Sequence, residues 1–112
     1  VTTPGERVSS LSAWINDSYG PEVSGELLLW RRVGKVAEEA GEAHEALIGM
    51  FGANARKGVT HDEQDLVDEL LDTALTSLAV VAMLRPDGDP YALLDRHVGG
   101  VMKRWQREVL EA

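Results

Sequence analysis

Carboxylates three and four residues apart occur twice in this chain, both times within stretches of helical patterning. Residues 35–47 read K-V-A-E-E-A-G-E-A-H-E-A-L, and residues 62–76 read D-E-Q-D-L-V-D-E-L-L-D-T-A-L-T. On a helix, residues three or four apart are neighbours. Glu39 with Glu42, Glu38 with Glu42, and Glu69 with Asp72 therefore share a side within each pair. Antiparallel pairing of the two helices would make the pairs converge. Like charges at that spacing repel by about a few tenths of a kcal/mol per exposed pair. Burying them together costs much more unless cations occupy the gap. Hard oxygen ligands in such a cluster suit Mg²⁺ or Mn²⁺. Magnesium retains several waters, one of which can act as a nucleophile. An acid-rich helix is more often a solvated face, and one E-x-x-E alone carries little weight.

The second stretch adds a sharper clue. Asp65, Glu69, Asp72 and Thr76 form a stripe that becomes Ala79 and Met83 one turn on. A face that continues into small and apolar residues is not expected to look wholly into bulk water. The main apolar face of this helix is expected at Leu66, Leu70, Leu71, Ala74, Leu78 and Ala82.

Four helices are needed to position these residues, and no strand is expected. The first is short, about Val8 to Asn16, with Leu11, Trp14 and Ile15 at helical spacing. The second runs from Gly25 or Glu26 to Met50, and its internal Gly34 and Gly41 cost propensity while permitting close helix approach. A connector, Phe51 to Val59, leads to a third helix with Thr60 as N-cap and Glu63 as its capping-box partner. That helix ends near Arg85, before Pro86. The fourth opens with Asp89 as N-cap and Pro90 at the first helical position, carries Leu93, Leu94, Val101, Trp105 and Val109, and is bent or broken at Gly99–Gly100. The result is an all-α bundle of four main helices. Its two long central helices lie antiparallel, as their short connector requires.

The 112 residues correspond to one domain, residues 1–112. A core of that size leaves a modest margin, so oligomerisation is expected. Nineteen acids against eleven bases give a net charge of −8. That argues against a duplex nucleic-acid partner, although divalent cations can invert the sign of an acidic pocket for a phosphorylated substrate. With no cysteine there is no thiolate chemistry and no Cys-based zinc site. His44, His61 and His97 lack mutual ligand spacing. The stretch V-T-T-P-G-E-R has no signal-peptide character. The longest apolar run, Leu78–Leu84, is far short of a membrane span. The expectation is a cytoplasmic protein with no membrane partner.

Taken together, these segments resemble the all-α nucleoside triphosphate pyrophosphohydrolases, the MazG-like group related to the dimeric dUTPases. The family pattern is E-x-x-E, a spacer, and E-x-x-D on the next long helix. Here it reads E-A-G-E, Glu39 to Glu42, and E-L-L-D, Glu69 to Asp72, with residues 43–68 between them. The wider K-V-A-E-E-A-G-E and D-E-L-L-D-T-A-L also look like the family's surroundings, and the likeness covers residues 10 to 105.

The resemblance implies that Glu39, Glu42, Glu69 and Asp72 hold Mg²⁺, with Mn²⁺ as a substitute. It implies cleavage of the α–β phosphoanhydride bond of (deoxy)nucleoside triphosphates to a monophosphate and pyrophosphate. Glu38 would bind a second metal or orient water, and Glu38 and Glu39 are the candidates for general base. A homodimer or homotetramer is also implied. The alternatives are a narrower dUTP/dUDP or modified-nucleotide pyrophosphatase, and a non-catalytic helical oligomerisation or regulatory module.

Further substrate contacts are assigned to Lys35, to Asn54, Arg56 and Lys57 at the hairpin mouth, and to Arg104 on the last helix. Trp14 and Trp30 are candidates for stacking on a base, with core packing as the competing expectation. The family's Asn and Lys on the last helix have no counterpart in His97 to Val101.

Overall fold

A computed structural model describes residues 2–111 and contains four helices: α1 (Pro4–Ser18), α2 (Gly25–Phe51), α3 (Glu63–Leu84) and α4 (Pro90–Glu111). The all-α class and the helix order agree with the sequence, but several boundaries and faces do not. Helix α1 begins a full turn before Val8. Thr3 Oγ1 accepts from the Glu6 amide at 3.1 Å and Pro4 opens the helix, the usual N-cap and N1 chemistry. Helix α2 closes at Gly52 in the left-handed conformation, φ 63°, with the Ala53 amide returning to the Ile48 carbonyl at 3.0 Å.

The cap of α3 is Asp62, not Thr60. Asp62 Oδ1 accepts from the Asp65 amide at 2.9 Å, and Asp65 Oδ2 accepts from the Asp62 amide at 2.8 Å. Two aspartates thus form the reciprocal box expected of Thr60 and Glu63. The Thr60 hydroxyl meets His61 Nδ1 instead, at 2.8 Å. At α4, Asp89 Oδ1 does accept from the Tyr91 and Ala92 amides, at 2.8 and 3.2 Å. The helix then runs unbroken through Gly99–Gly100.

Three contacts fix α2 and α3 as antiparallel. Near the hairpin, the Thr60 amide donates to the Gly49 carbonyl at 3.0 Å. Midway, the carboxylates of Glu39, Glu69 and Asp72 meet. At the far end, Arg32 Nη1 lies 3.9 Å from Met83 Sδ. The close approach is made at Gly49, where a Cβ would collide with Thr60 and His61. Gly34 and Gly41 face open space and do not serve the packing expected of them.

Helix α1 lies across the pair, with Ser12 Oγ donating to the Ala79 carbonyl at 2.6 Å. The core is small and rich in alanine: Val8, Ala43, Ala46, Ala79, Val80 and Ala82 are buried, and Leu78 is half-buried against Val8, Ala79 and Ala82. The inward face of α3 is the stripe that begins with carboxylates and continues through Ala79. Leu70 and Leu71 of the expected core face are instead 54% and 61% exposed. Trp14 and Trp30 are also exposed, so neither is a core residue.

Helix α4 touches the rest of the chain through its first turn. Pro90 is buried, Leu93 is half-buried, and every residue from Leu94 to Glu111 is exposed. The Cα radius of gyration is 17.6 Å, against about 13–14 Å for a compact domain of this length. Among the described residues, no helix is long and apolar enough to cross a membrane.

Candidate metal centre

Helical spacing and antiparallel pairing together build the acidic site. Glu39 and Glu42 stand one turn apart on α2, and Glu69 and Asp72 one turn apart on α3. Carboxylate oxygens of Glu39, Glu69 and Asp72 all lie within 4.8 Å of one another. A single hard cation with oxygen ligands at 2.0–2.6 Å spans about 4–5 Å between opposite ligands. Glu42 is half-buried beside them and close enough to act on both neighbouring glutamates.

The electrostatics are those of crowded like charges. Burial pushes the Glu39 carboxyl above the usual carboxylate range, and the charges of Glu42 and Asp72 push it the same way; Lys35 opposes them weakly. Glu69 is raised by burial first, then by the charges of Glu42, Asp72 and Glu39. Glu69 Oε2 is buried and has no hydrogen-bond partner. Buried polar atoms nearly always have partners, and the charges acting on Glu69 all come from other acids. A proton shared with Glu42 relieves part of this repulsion, and a bound cation would both satisfy Glu69 Oε2 and offset the remaining charge. An all-carboxylate oxygen set matches Mg²⁺ or Mn²⁺ in hardness.

The other sequence-assigned residues sit at varying distances from this cluster. Glu38 turns aside into an exposed ion pair with Lys35, at 3.0 Å. That hydrogen bond and charge raise the Lys35 pKa. Asn54 Oδ1 accepts from the Arg56 and Lys57 amides at 3.1 and 3.4 Å, so Asn54 shapes the connector and leaves both basic side chains exposed. Glu69 lies six residues into α3, which puts the cluster about 9 Å along the axis from that end. Arg104 is exposed on α4, in a groove with Arg96 and His97. Trp30 Nε1 donates to Glu26 Oε1 at 3.2 Å, also at the surface.

Arg32 is the residue that sequence reasoning missed. It is 3% exposed and lines a pocket that reaches Lys35, Thr76 and Glu39. Its signal was present, because Arg32, Lys35, Glu39 and Glu42 step by three, four and three along α2. That is one helix face, the same face that continues into buried Ala46 and Gly49.

Comparison with family models, with curated proteins and with solved structures returns no match for this chain.

Proposed function

We propose that the chain is a Mg²⁺-dependent nucleotide pyrophosphohydrolase of the MazG-like all-α kind, in a single domain. The observation that supports it best is the meeting of Glu39, Glu69 and Asp72 around an unpartnered, buried Glu69 oxygen. These are residues of the E-A-G-E and E-L-L-D segments that carry the resemblance.

In this reading Glu39, Glu42, Glu69 and Asp72 hold the ion. When bound, Mg²⁺ supplies neutralisation of the phosphate tail and Lewis acidity at the phosphorus under attack. The remaining work belongs to the side chains. Glu39 of the cluster, or Glu38 once released from its ion pair with Lys35, takes a proton from a water molecule as the water oxygen attacks the α phosphorus. The α–β P–O bond breaks, and pyrophosphate leaves with the electron pair. Positioning and charge stabilisation supply most of the catalysis in phosphoryl-transfer chemistry, so no serine, cysteine or histidine nucleophile is required.

The same reading includes self-association as a homodimer or homotetramer. What supports it is the apolar surface left outside the chain's own core: Leu70 and Leu71 on α3, and Leu94, Val98, Val101 and Trp105 on α4, are all more than 40% exposed. A second copy buries such faces in obligate assemblies.

A panel of ribo- and deoxynucleoside triphosphates with Mg²⁺, analysed for monophosphate and pyrophosphate, tests the proposal. At least one is expected to yield both products. Release of orthophosphate alone would place the cleavage at another bond, and no turnover with Mg²⁺ or Mn²⁺ would overturn the reading.

A further inference from the structure

Arg32 is buried on α2, and among the described residues no carboxylate lies within 4.0 Å of it. Its hydrogen-bond acceptors are all neutral. Nη1 donates to the Ser12 carbonyl at 3.2 Å and to Asn16 Oδ1, and Nη2 donates to Ser12 Oγ at 3.1 Å. None of these hydrogen bonds leaves Nε. Burial pulls the Arg32 pKa down, yet a guanidinium in a protein stays charged. A buried charge without a counter-charge is costly, and this one is stabilised by any anion that reaches it.

There is room for one. Arg32 lines a pocket of about 290 Å³ together with Lys35, Tyr19 and Thr76, and Glu39 of the carboxylate cluster stands in the same wall. Lys35 is half-exposed, and among the described residues its one ion pair is with the surface carboxylate of Glu38. Along α2 the order is cation, cation, carboxylate, and the seven residues from Arg32 to Glu39 span about 10 Å. The guanidinium fork and the ammonium are both phosphate-binding groups. The hydrogen bonds that Arg32 donates to Ser12 and Asn16 hold the fork in place before any ligand arrives.

We propose that this pocket, walled by Arg32 and Lys35 beside the carboxylates, is an oxyanion site. It takes the pyrophosphoryl end of a nucleotide whose scissile phosphate lies at the cluster. The identity of the whole substrate rests on the hydrolase reading above; the anion site rests on Arg32 and its surroundings.

Calorimetric titration with inorganic pyrophosphate, with and without Mg²⁺, tests it. Wild type is expected to bind, Lys35→Gln to bind at least fivefold more weakly, and Arg32→Lys at least tenfold more weakly. The last substitution keeps the charge and loses the fork. Should Arg32→Lys fail to fold, Lys35→Gln and Thr76→Asp, which sets a negative charge in the pocket wall, decide the matter alone. No binding by wild type, or equal affinity in the folded variants, overturns the proposal. Pyrophosphate binding that depends on these residues without any nucleotide hydrolysis would sink the hydrolase reading and keep the anion site. Hydrolysis with pyrophosphate affinity indifferent to them would do the reverse.

Discussion

Ser12 on α1 donates its hydroxyl to the Ala79 carbonyl on α3 at 2.6 Å while accepting from Arg32 of α2 at 3.1 Å. One buried hydroxyl thus ties three helices. Ser12→Ala leaves Arg32 Nη2 without its acceptor and strips the second donor from the Ala79 carbonyl, which keeps its bond within α3, a loss of about 1–3 kcal/mol. Urea unfolding is expected to show a lower midpoint with unchanged slope. An unchanged midpoint would mean that water replaces the hydroxyl at no cost.

The entry to α3 depends on Asp62 rather than Thr60. Asp62→Ala removes the acceptor for the Asp65 amide and is expected to cost about 1 kcal/mol. Thr60→Ala, judged by the same thermal melts, should cost less, because the Thr60 hydroxyl caps no helical amide.

Acid titration of the cluster gives a sign opposite to that of ordinary carboxylates. Glu39 and Glu69 have folded pKa values raised above those of the unfolded chain. Between the unfolded value, about 4.3, and the raised folded value, the folded state holds protons that the unfolded chain has released. The contribution of these two groups to stability therefore falls as pH rises through that window, and its destabilising effect is complete above it. Divalent metal reverses the slope, because binding displaces those protons and strengthens as they leave. Melts across this range, with chelator and with Mg²⁺, should diverge as pH increases; parallel curves would contradict a metal at these carboxylates.

Glu69→Gln separates stability from function. The amide removes one negative charge from the cluster, so the metal-free variant is expected to melt above wild type. It should also lose the stabilisation by Mg²⁺, which reaches about 2.7 kcal/mol for wild type at a hundredfold excess over Kd. A variant that melts lower without metal, or keeps the Mg²⁺ effect, would show that Glu69 is an ordinary structural acid.

Trp105→Glu puts a charge on the exposed apolar face of α4, where Trp105 is 56% exposed. Analytical ultracentrifugation is expected to show a wild-type oligomer and a shift toward monomer in the variant. A monomeric wild type would leave the apolar faces without the proposed partner.

Periodicity and spacing revealed much of this molecule in advance. The four helices, the Asp89 cap and the facing of Glu39 against Glu69 and Asp72 all follow from local rules: i,i+3 neighbours, Pro at a first turn, and a short hairpin connector. The inward face of α3 did not follow in the same way. Leucine density pointed to Leu70 and Leu71, yet these are exposed, and the smaller stripe through Glu69, Thr76 and Ala79 faces α1 and α2. A hydrophobic stripe states that a surface is to be buried and not whether its own chain covers it. Arg32 was hidden for a related reason. Next to Arg31 it reads as surface charge, and its burial depends on Ser12 and Asn16, distant in sequence and brought close only by packing. Trp14 and Trp30 misled in the other direction, since large aromatic area is no guarantee of a place in so small a core.

Manganese binding followed by electron paramagnetic resonance tests whether Glu39, Glu69 and Asp72 hold a divalent cation. Wild type is expected to bind Mn²⁺ saturably, with Mg²⁺ competing, and Glu69→Gln and Asp72→Asn to weaken binding by more than the 10–100-fold typical of losing an outer-shell partner. Folded variants that bind Mn²⁺ as tightly as wild type would contradict the account.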